Sequence, residues 1–434
     1  MQHAPKRHDP SPPHLACGPR AALRTALIAS LVLPALLPVL LPVLLPSLAS
    51  AEPPVPDRPP LEPILEPTLE PTLERTLEDV RVLHRLPALG TVVVDADQQP
   101  RIVVSGVRRR GDETPVAEGD LWHLGSNTKA MTATMIAVLV DRGTLDWDLS
   151  PATVFADLAK DAGVSIHPDW SAVTLRHLLS NRSGVSDEMI DDALWGRLFF
   201  GRTIPPGQQR RELTLHLLAK PPAHPPGKVF EYSNAGFAIA GAMAEVRTGG
   251  NYEELMGSHL FKPLQMQSAG FGAPGSADQL DQPRGHSERG GAIEPGPFAD
   301  NPPALAPAGT VHMSLADWAR FAAFHASKPD EQSLLKPQTF RLLHEATPGD
   351  PKTEYAMGWV LRSRAWGDPR DDQRTPKLML FHNGSNTRWM AVMWVVPETR
   401  QAFLAVTNQG GDAAEDALEH AIKALLNATP PGTP

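Results

Sequence analysis

LWHLGSNTKAMTATMIAVLV, residues 121–140, places Ser126 and Lys129 three residues apart at the start of a long apolar run. The run predicts a helix over residues 126–143 that is apolar on most faces, is therefore buried, and is closed by Gly143. Residues i and i+3 share a helix face, so the Lys129 amine is expected beside the Ser126 hydroxyl. The alternative is a serine that caps the helix and a lysine at the surface.

The Ser-x-x-Lys spacing is weak by itself, since roughly one copy arises by chance in a chain of this length. A second copy is present, in which Ser333 is followed by Lys336. It lies in a polar stretch and runs into Pro337, so we expect it at the surface. Ser126 differs because it opens an apolar helix. Burial and the positive end of a helix dipole both lower the pKa of a lysine, which would let Lys129 take the serine proton.

A second candidate element is Tyr232-Ser233-Asn234, which precedes another apolar helical pattern over residues 233–250. Alternate side chains of an extended segment point the same way, so Tyr232 and Asn234 can face one pocket. A phenol near an ammonium ionises more easily and can pass a proton to a leaving group. The Asn234 amide can hold both the lysine and a substrate carbonyl. The alternative is an ordinary turn before a helix.

The third element, His382-Asn383-Gly384, ends an apolar strand pattern. The glycine permits a ligand to approach the backbone closely. The next amide, Ser385 N–H, can pair with Ser126 N–H as an oxyanion hole. The alternative is a hairpin turn, because Asn-Gly is a strong turn signal. The candidate catalytic residues are thus Ser126, Lys129 and Tyr232, and the candidate substrate-binding residues are Asn234, His382, Asn383, Gly384 and Ser385.

Composition excludes several classes of function. The 434 residues carry a formal charge of −9, and no basic run goes beyond residues 108–110, so nucleic acid is not an expected partner. G-x-S-x-G, H-E-x-x-H and P-loop motifs are missing from the sequence, and the histidines have no ligand spacing, so we expect neither a metal nor a cofactor. The only cysteine, Cys17, precedes an apolar segment and is expected to be removed with it, which excludes disulfides.

The amino-terminal residues 1–51 resemble an export signal, with basic residues, an uncharged stretch and a small-x-small site ending at Ala51. Cleavage near Ala51 predicts a periplasmic or secreted protein. The alternative is an uncleaved membrane attachment through residues 25–48, although four prolines at four-residue intervals interrupt that stretch. The Pro/Glu-rich repeat of residues 52–79 predicts a stiff, low-complexity linker.

Strand patterns cluster at both ends of the folded region, which we expect to span residues 80–428. Two β-branched runs occur over residues 90–109, and three strand-like runs, KLMLFHNG, RWMAVMWVV and QAFLAVTNQG, come late. Helical patterns lie between them, and an amphipathic helix closes the chain over residues 412–428. The pattern predicts an α/β (α+β) fold in which helices flank an antiparallel sheet, with an inserted all-α lobe over roughly residues 145–330.

Taken together, the S-x-x-K, Y-S-N and H-x-G elements resemble those of the serine β-lactamase and penicillin-binding protein superfamily. The resemblance is to its class C-like branch, which includes class C β-lactamases, DD-carboxypeptidases and S-x-x-K esterases. It covers roughly residues 88–410, including the blocks VTLRHLLSNRSGVSD and PPGKVFEYSNAGFAIAG. It implies a β-lactamase/transpeptidase-like fold and an acyl-enzyme on Ser126. Lys129 and Tyr232 would share the general-base and general-acid roles, and either could take the first proton.

The third element departs from the Lys-Thr-Gly of class C β-lactamases. His382 replaces a permanent ammonium that binds a substrate carboxylate, and an imidazole has a reference pKa of about 6.5. Asn383 replaces the threonine whose hydroxyl helps to hold that carboxylate. We therefore expect a peptidase or esterase acting on a small-molecule or peptide amide or ester. We also expect it to be a monomer. The alternatives are a true class C-like β-lactamase and a non-catalytic penicillin-binding or scaffold protein.

Overall fold

The computed structural model describes residues 72–95, 98–347, 354–365 and 376–429. The predicted export signal and most of the predicted linker lie outside these residues. Among the helices that the structure describes, none combines the length and apolar character needed to cross a bilayer.

The strands of the central sheet come from the two ends of the folded region, as the sequence predicts. Six strands lie in the order β2-β1-β11-β10-β9-β8, and every neighbouring pair is antiparallel. Two small sheets, β3-β7-β4 and β5-β6, lie outside it. The strands are β1 (Ala88–Asp95), β2 (Arg101–Gly106), β3 (Leu121–His123), β4 (Gly270–Phe271), β5 (Gly285–His286), β6 (Ala292–Ile293), β7 (Val311–Ser314), β8 (Val360–Ala365), β9 (Pro376–Ser385), β10 (Met390–Val396) and β11 (Gln401–Thr407).

The helices fall mainly between β3 and β8. Short 3-10 turns, among them Gly125–Asn127 and Asp187–Met189, connect several of them. The helices are α1 (Leu73–Leu83), α2 (Thr128–Asp141), α3 (Pro151–Val154), α4 (Ala156–Asp161), α5 (Leu175–Leu179), α6 (Asp192–Phe200), α7 (Pro206–Leu218), α8 (Asn234–Thr248), α9 (Tyr252–Met256), α10 (Ala306–Gly309), α11 (Leu315–Ala326), α12 (Pro337–Leu342) and α13 (Asp412–Ala428).

The sheet is covered on both faces, which explains why its inner strands are apolar throughout. On β10, Val392 and Trp394 join the core beneath α1 and α13, whereas Met393 and Val395 join the core shared with α2, α8 and α11. Successive strand residues point to opposite faces, so each strand supplies both cores. The second core extends into the helical insertion and places the start of α2 between sheet and insertion.

The inserted region is mainly helical and also carries short strands. Helices α3 to α10 occupy it, together with β4 to β7. Helix α11 packs against β1, β10 and β11 and therefore belongs to the sheet layer. The insertion thus ends before α11, earlier than the predicted residue 330.

The predicted linker boundary at residue 79 is corrected by α1, which begins at Leu73. The proline repeat ends at Pro71, and the following LERTLEDVRVL contains no proline to interrupt a helix. Thr72 caps this helix by accepting a hydrogen bond from the Arg75 amide at 3.3 Å. Leu77 and Val80 are buried beneath it, so the folded region starts with a helix that packs on the sheet.

Candidate active site

Ser126 lies in the 3-10 turn between β3 and α2, and Lys129 lies in the first turn of α2. The Lys129 side chain is fully buried. Its Nζ is 3.0 Å from Ser126 Oγ, 2.7 Å from Asn234 Oδ1 and 2.8 Å from the carbonyl oxygen of Ala308. Neither the turn nor α2 has a side-chain cap, so the alternative of a capping serine and a surface lysine does not describe this structure.

Tyr232 and Asn234 both reach Lys129 from the start of α8. Ser233 is extended and caps α8 by accepting from the Gly236 amide at 3.0 Å, so the residues on either side of it face Lys129. The Tyr232 ring centroid lies 4.6 Å from Lys129 Nζ, a cation–π distance. The turn with Ser126, the start of α8 and Ala308 of α10 therefore meet at the buried amine of Lys129.

Asp187 orients Asn234, and sequence reasoning missed it. Its Oδ2 accepts from Asn234 Nδ2 at 2.7 Å, and its Oδ1 accepts from the Ala235 amide at 2.8 Å and from Ser233 Oγ at 3.1 Å. With its amide nitrogen held there, Asn234 presents Oδ1 to Lys129. The only sequence signal was the position of Asp187 at the end of the block VTLRHLLSNRSGVSD, because no spacing rule connects it to Asn234.

Two glycines bring the backbone of β9 against the turn that carries Ser126. A Cβ on Gly384 would lie 2.6 Å from the Ser126 amide nitrogen and 2.1 Å from the Leu124 carbonyl oxygen. Gly125 has φ +52°, and a Cβ there would lie 2.4 Å from the Ser385 amide nitrogen. Side chains at either position would separate the two segments. The amides of Ser126 and Ser385 thus belong to adjoining backbones, as an oxyanion hole requires.

His382 is fully buried next to this group, with its ring centroid 6.2 Å from that of Tyr232. Nδ1 lies in hydrogen-bonding contact with the Asn383 carbonyl, which assigns the ring proton to Nδ1. Burial, and then the positive charge of Lys129, lower the pKa of His382 to about 3. The expectation of an imidazole that titrates near its reference pKa is therefore wrong for the folded chain, and His382 is neutral at physiological pH.

Asn383 does not reach the Ser126 group with its side chain. Its Nδ2 donates to Glu415 Oε1 of α13 at 2.6 Å, on the opposite face of the sheet. Adjacent strand residues point to opposite faces, and His382 already takes the Lys129 side. This corrects the predicted substrate-binding role of the Asn383 side chain. The Ser385 side chain is exposed, and its Oγ accepts from the Thr387 amide at 2.9 Å.

The beta-lactamase family model matches residues 73–428. The chain belongs to the beta-lactamase family. The match begins with α1 and ends with α13, so every segment that converges on Lys129 lies within the family domain. The structure thus has a serine-hydrolase-type fold.

Proteins similar to this chain in sequence include a penicillin-binding protein and a hydrolase. Penicillin-binding protein 4 of Amycolatopsis lactamdurans is 28% identical, and the alignment covers 76% of this chain and 83% of that protein. Protein flp of Staphylococcus aureus (strain MW2) is 22% identical, over 70% of this chain and 56% of its own length. Unguisins hydrolase ungD of Aspergillus violaceofuscus is 24% identical, and the alignment covers 58% of this chain and 44% of that protein. The chain spans about half the length of the last two.

Solved structures show the same fold. The octameric penicillin-binding protein homologue from Pyrococcus abyssi superposes with a TM-score of 0.64 at 19% identity, covering 83% of this chain and 77% of that one. SurE gives a TM-score of 0.63 at 21% identity with the same coverage. At these identities the similarity establishes architecture alone.

Asp187→Asn is expected to lower kcat/KM by about 10- to 100-fold. The Asp187 carboxylate accepts three hydrogen bonds on two oxygens, whereas an amide has one acceptor oxygen and would lose at least one of them. A hydrogen bond to a charged group contributes about 1.5–3 kcal/mol. Steady-state kinetics with an activated ester measure the effect. Asp191→Asn is the matched control, because Asp191 caps α6 and asparagine caps a helix as well as aspartate does. Equal kinetics in both variants would contradict the role of Asp187.

The low pKa of His382 predicts how stability depends on pH. Between about pH 3 and 6.5 the unfolded chain binds a proton at His382 that the folded chain does not. The contribution of the neutral His382 to the free energy of unfolding is therefore complete above pH 6.5 and is lost as the pH falls towards 3. Urea unfolding of the wild type between pH 6.5 and 5 should show an added loss of up to about 2 kcal/mol relative to His382→Asn. Parallel pH dependences in the two proteins would contradict the assigned pKa.

Proposed function

We propose that the chain is an exported serine hydrolase that cleaves an amide or ester through an acyl-enzyme on Ser126. The observation that carries the proposal is the placement of the buried Lys129 amine 3.0 Å from Ser126 Oγ, with Asn234 and Tyr232 around it. A hydroxyl is a weak nucleophile until a neighbouring group takes its proton. The placement supplies such groups, and two relatives, one named as a hydrolase and one as a penicillin-binding protein, support the assignment.

The surroundings of Lys129 favour Tyr232 as the group that takes the first proton. Nζ has three acceptor oxygens, which match the three N–H donors of an ammonium. An ammonium near the ring stabilises a phenolate at Tyr232. The phenolate removes the Ser126 proton as Oγ bonds to the substrate carbonyl carbon. The same proton then passes to the leaving nitrogen or oxygen as its bond to carbon breaks.

Water completes the cycle by a second acyl transfer. Its oxygen attacks the acyl carbon while its proton moves to Tyr232, and the carbon–Oγ bond breaks as Ser126 regains a proton. In both steps the negative charge develops on the substrate carbonyl oxygen. The amides of Ser126 and Ser385 are the donors that we assign to it.

Peptidase or esterase activity is favoured over efficient β-lactam hydrolysis because His382 is neutral. A neutral imidazole with its proton on Nδ1 offers Nε2 as an acceptor, and this buried atom has no hydrogen-bond partner among the described residues. Such a group suits a substrate donor and gives no charge to a carboxylate. A class C-like β-lactamase is the second candidate, supported by the family itself. We also propose a periplasmic or secreted location, on the basis of the predicted export signal in residues 1–51, and a monomer.

A substrate survey by intact mass and turnover tests the proposal. The purified chain is incubated with a labelled penicillin, a peptide ending in D-Ala-D-Ala and p-nitrophenyl butyrate. We expect turnover of the ester or peptide, and a slowly released penicillin adduct that maps to Ser126. Rapid penicillin turnover would replace the proposal with the β-lactamase, whereas no reaction with any acyl donor would leave a non-catalytic binding or scaffold protein.

A further inference from the structure

A buried carboxylate outside the Ser126–Lys129–Tyr232 group connects the two segments that carry the assigned oxyanion donors. Asp300 is 8% exposed, and its two oxygens contact different segments. Oδ2 lies 2.7 Å from His123 Nε2, and Oδ1 lies 3.0 Å from Asn386 Nδ2. His123 comes shortly before Ser126 in the chain, and Asn386 directly follows Ser385.

The first contact fixes the turn before Ser126. His123 Nδ1 accepts a hydrogen bond from the Gly125 amide at 3.1 Å, so the ring proton is on Nε2 and is donated to Asp300. The ring also stacks on Trp389, with centroids 5.6 Å apart and an interplanar angle of 29°. The position of the Gly125 peptide, and with it the Ser126 amide, therefore depends on His123 being held by the carboxylate.

The second contact fixes the turn after Ser385. Asn386 Oδ1 accepts from the amides of Arg388 at 3.1 Å and Trp389 at 3.2 Å, while its Nδ2 donates to Asp300. The carboxylate thus sets which way the Asn386 amide faces. Without that acceptor the amide could rotate, and the turn that follows Ser385 would lose its internal hydrogen bonds.

Asp300 is itself held in place by its own loop. The Asn301 amide donates to Asp300 Oδ1 at 2.8 Å. Arg202 donates from Nη2 to the Asp300 carbonyl and from Nη1 to the Asn301 carbonyl, each at 3.0 Å. Asp300 is therefore a fixed point to which the two separate turns are joined, so that their amides keep one spacing.

We propose that Asp300 is a positioning residue that fixes the spacing of the Ser126 and Ser385 amides through His123 and Asn386. The inference rests on the proposed function, because it assigns those amides to the developing oxyanion. Donors of this kind accelerate a reaction only when they are already placed for the transition state, and a misplacement of about 1 Å costs on the order of 100-fold in rate. Asp300 touches no reacting atom, so its effect is entirely through the two turns.

Asn386 donates and Asp300 accepts in the hydrogen bond between them, so exchanging the two residue types should reverse the donor and the acceptor. Both carboxylate oxygens of Asp300 accept hydrogen bonds, and the amide of Asp300→Asn has only one oxygen. Its nitrogen must therefore face either the Asn386 amide nitrogen or His123 Nε2–H, so two donors oppose each other at one of the two turns. With Asn386→Asp added, the amide nitrogen at position 300 can donate to the new carboxylate while the amide oxygen accepts from His123, so both turn contacts are restored. Only the contact with the Asn301 amide is lost, and the new carboxylate still accepts from the amides of Arg388 and Trp389. Asp317→Asn is the matched control, because Asp317, near the start of α11, is also buried and accepts hydrogen bonds from the amide and hydroxyl of Ser268.

The readouts are kcat and KM for p-nitrophenyl butyrate, the affinity for phenylboronic acid, and thermal unfolding. Boron bonded to Ser126 Oγ places an oxygen where the oxyanion forms, so its affinity reports the donors directly. We expect Asp300→Asn to lower kcat and boronate affinity together by about 30- to 100-fold with KM within about threefold. The double exchange should recover at least about tenfold of both, whereas Asp317→Asn should shift unfolding only.

A kcat within about threefold of wild type in Asp300→Asn would overturn the inference, as would a loss of kcat without loss of boronate affinity. Failure of the double exchange to improve on Asp300→Asn would also overturn it. If Asp300→Asn does not fold, Asn386→Ala removes one arm alone and should lower kcat and boronate affinity in parallel by about tenfold; unchanged values would count against the proposal. A wild-type chain that neither turns over the ester nor binds the boronate would instead remove the proposed function.

Discussion

Ser126→Ala is expected to lower kcat/KM for an activated ester by at least about 10⁴-fold and to remove the penicillin adduct from the intact mass spectrum. Alanine cannot form the bond to the acyl carbon, and the residual rate would come only from binding and from the oxyanion donors. The loss should appear in kcat, with KM little changed. Burst kinetics and intact mass measure the two effects separately.

The chain provides its own control for this experiment. Ser333 stands at the same spacing from Lys336 as Ser126 does from Lys129, but Ser333 and Lys336 are both exposed. Ser333→Ala should therefore leave turnover and adduct formation unchanged. An adduct that persists in Ser126→Ala would place the nucleophile elsewhere and refute the proposed mechanism.

Lys129→Met should produce the second largest effect, a loss of about 10³-fold in the rate of acylation. Methionine fills a similar volume but removes the charge next to Ser126 Oγ and Tyr232. It also leaves Asn234 Oδ1 and the Ala308 carbonyl without their donor, at about 1–3 kcal/mol of stability for each unsatisfied group. Stopped-flow acylation by the ester, together with thermal unfolding, separates the chemical loss from the loss of stability.

Lys336→Met is the companion control, and its acylation rate should match wild type. It removes only the exposed hydrogen bond from Lys336 Nζ to the Asp141 carbonyl, so stability should change by at most about 1 kcal/mol. Acylation within about tenfold of wild type in Lys129→Met would show that Tyr232 works without the neighbouring ammonium. That result would leave Ser126 as the nucleophile while withdrawing the role given to Lys129.

Sequence patterns predicted the sheet and the buried helices because local periodicity reports them directly. The late strand runs became β9, β10 and β11, and the predicted closing helix over residues 412–428 is α13. The spacing of Ser126 and Lys129 predicted their contact because helix geometry fixes neighbours three residues apart. For Tyr232 and His382, periodicity alone could not locate the partner, and it was the resemblance to a known family that placed both beside Ser126.

Contacts that form only in the tertiary fold could not be predicted from the sequence. Nothing local indicates that Asp187 accepts from Asn234 or that Asp300 joins His123 to Asn386, because each pair is assembled from separate loops. The pKa of His382 depends on burial and on the distant Lys129, so its reference value was misleading. The predicted role of the Asn383 side chain was wrong because the sequence alone did not establish which face of β9 packs against α13.

The pairing of β1 with β11 has a consequence for how the protein is made. Leu89 lies opposite Thr407, so β1 gains its neighbour on that side only after β11, the last strand of the sheet in chain order, has been synthesised. Until β11 has been synthesised β1 can pair only with β2, and the backbone N–H and C=O groups on its other edge have no partner strand. Long-range pairing of this kind is slow and prone to aggregation. The six-stranded sheet is therefore completed only after β11 has been synthesised, and a chain truncated before Gln401 would lack the strand that joins β1 to β10.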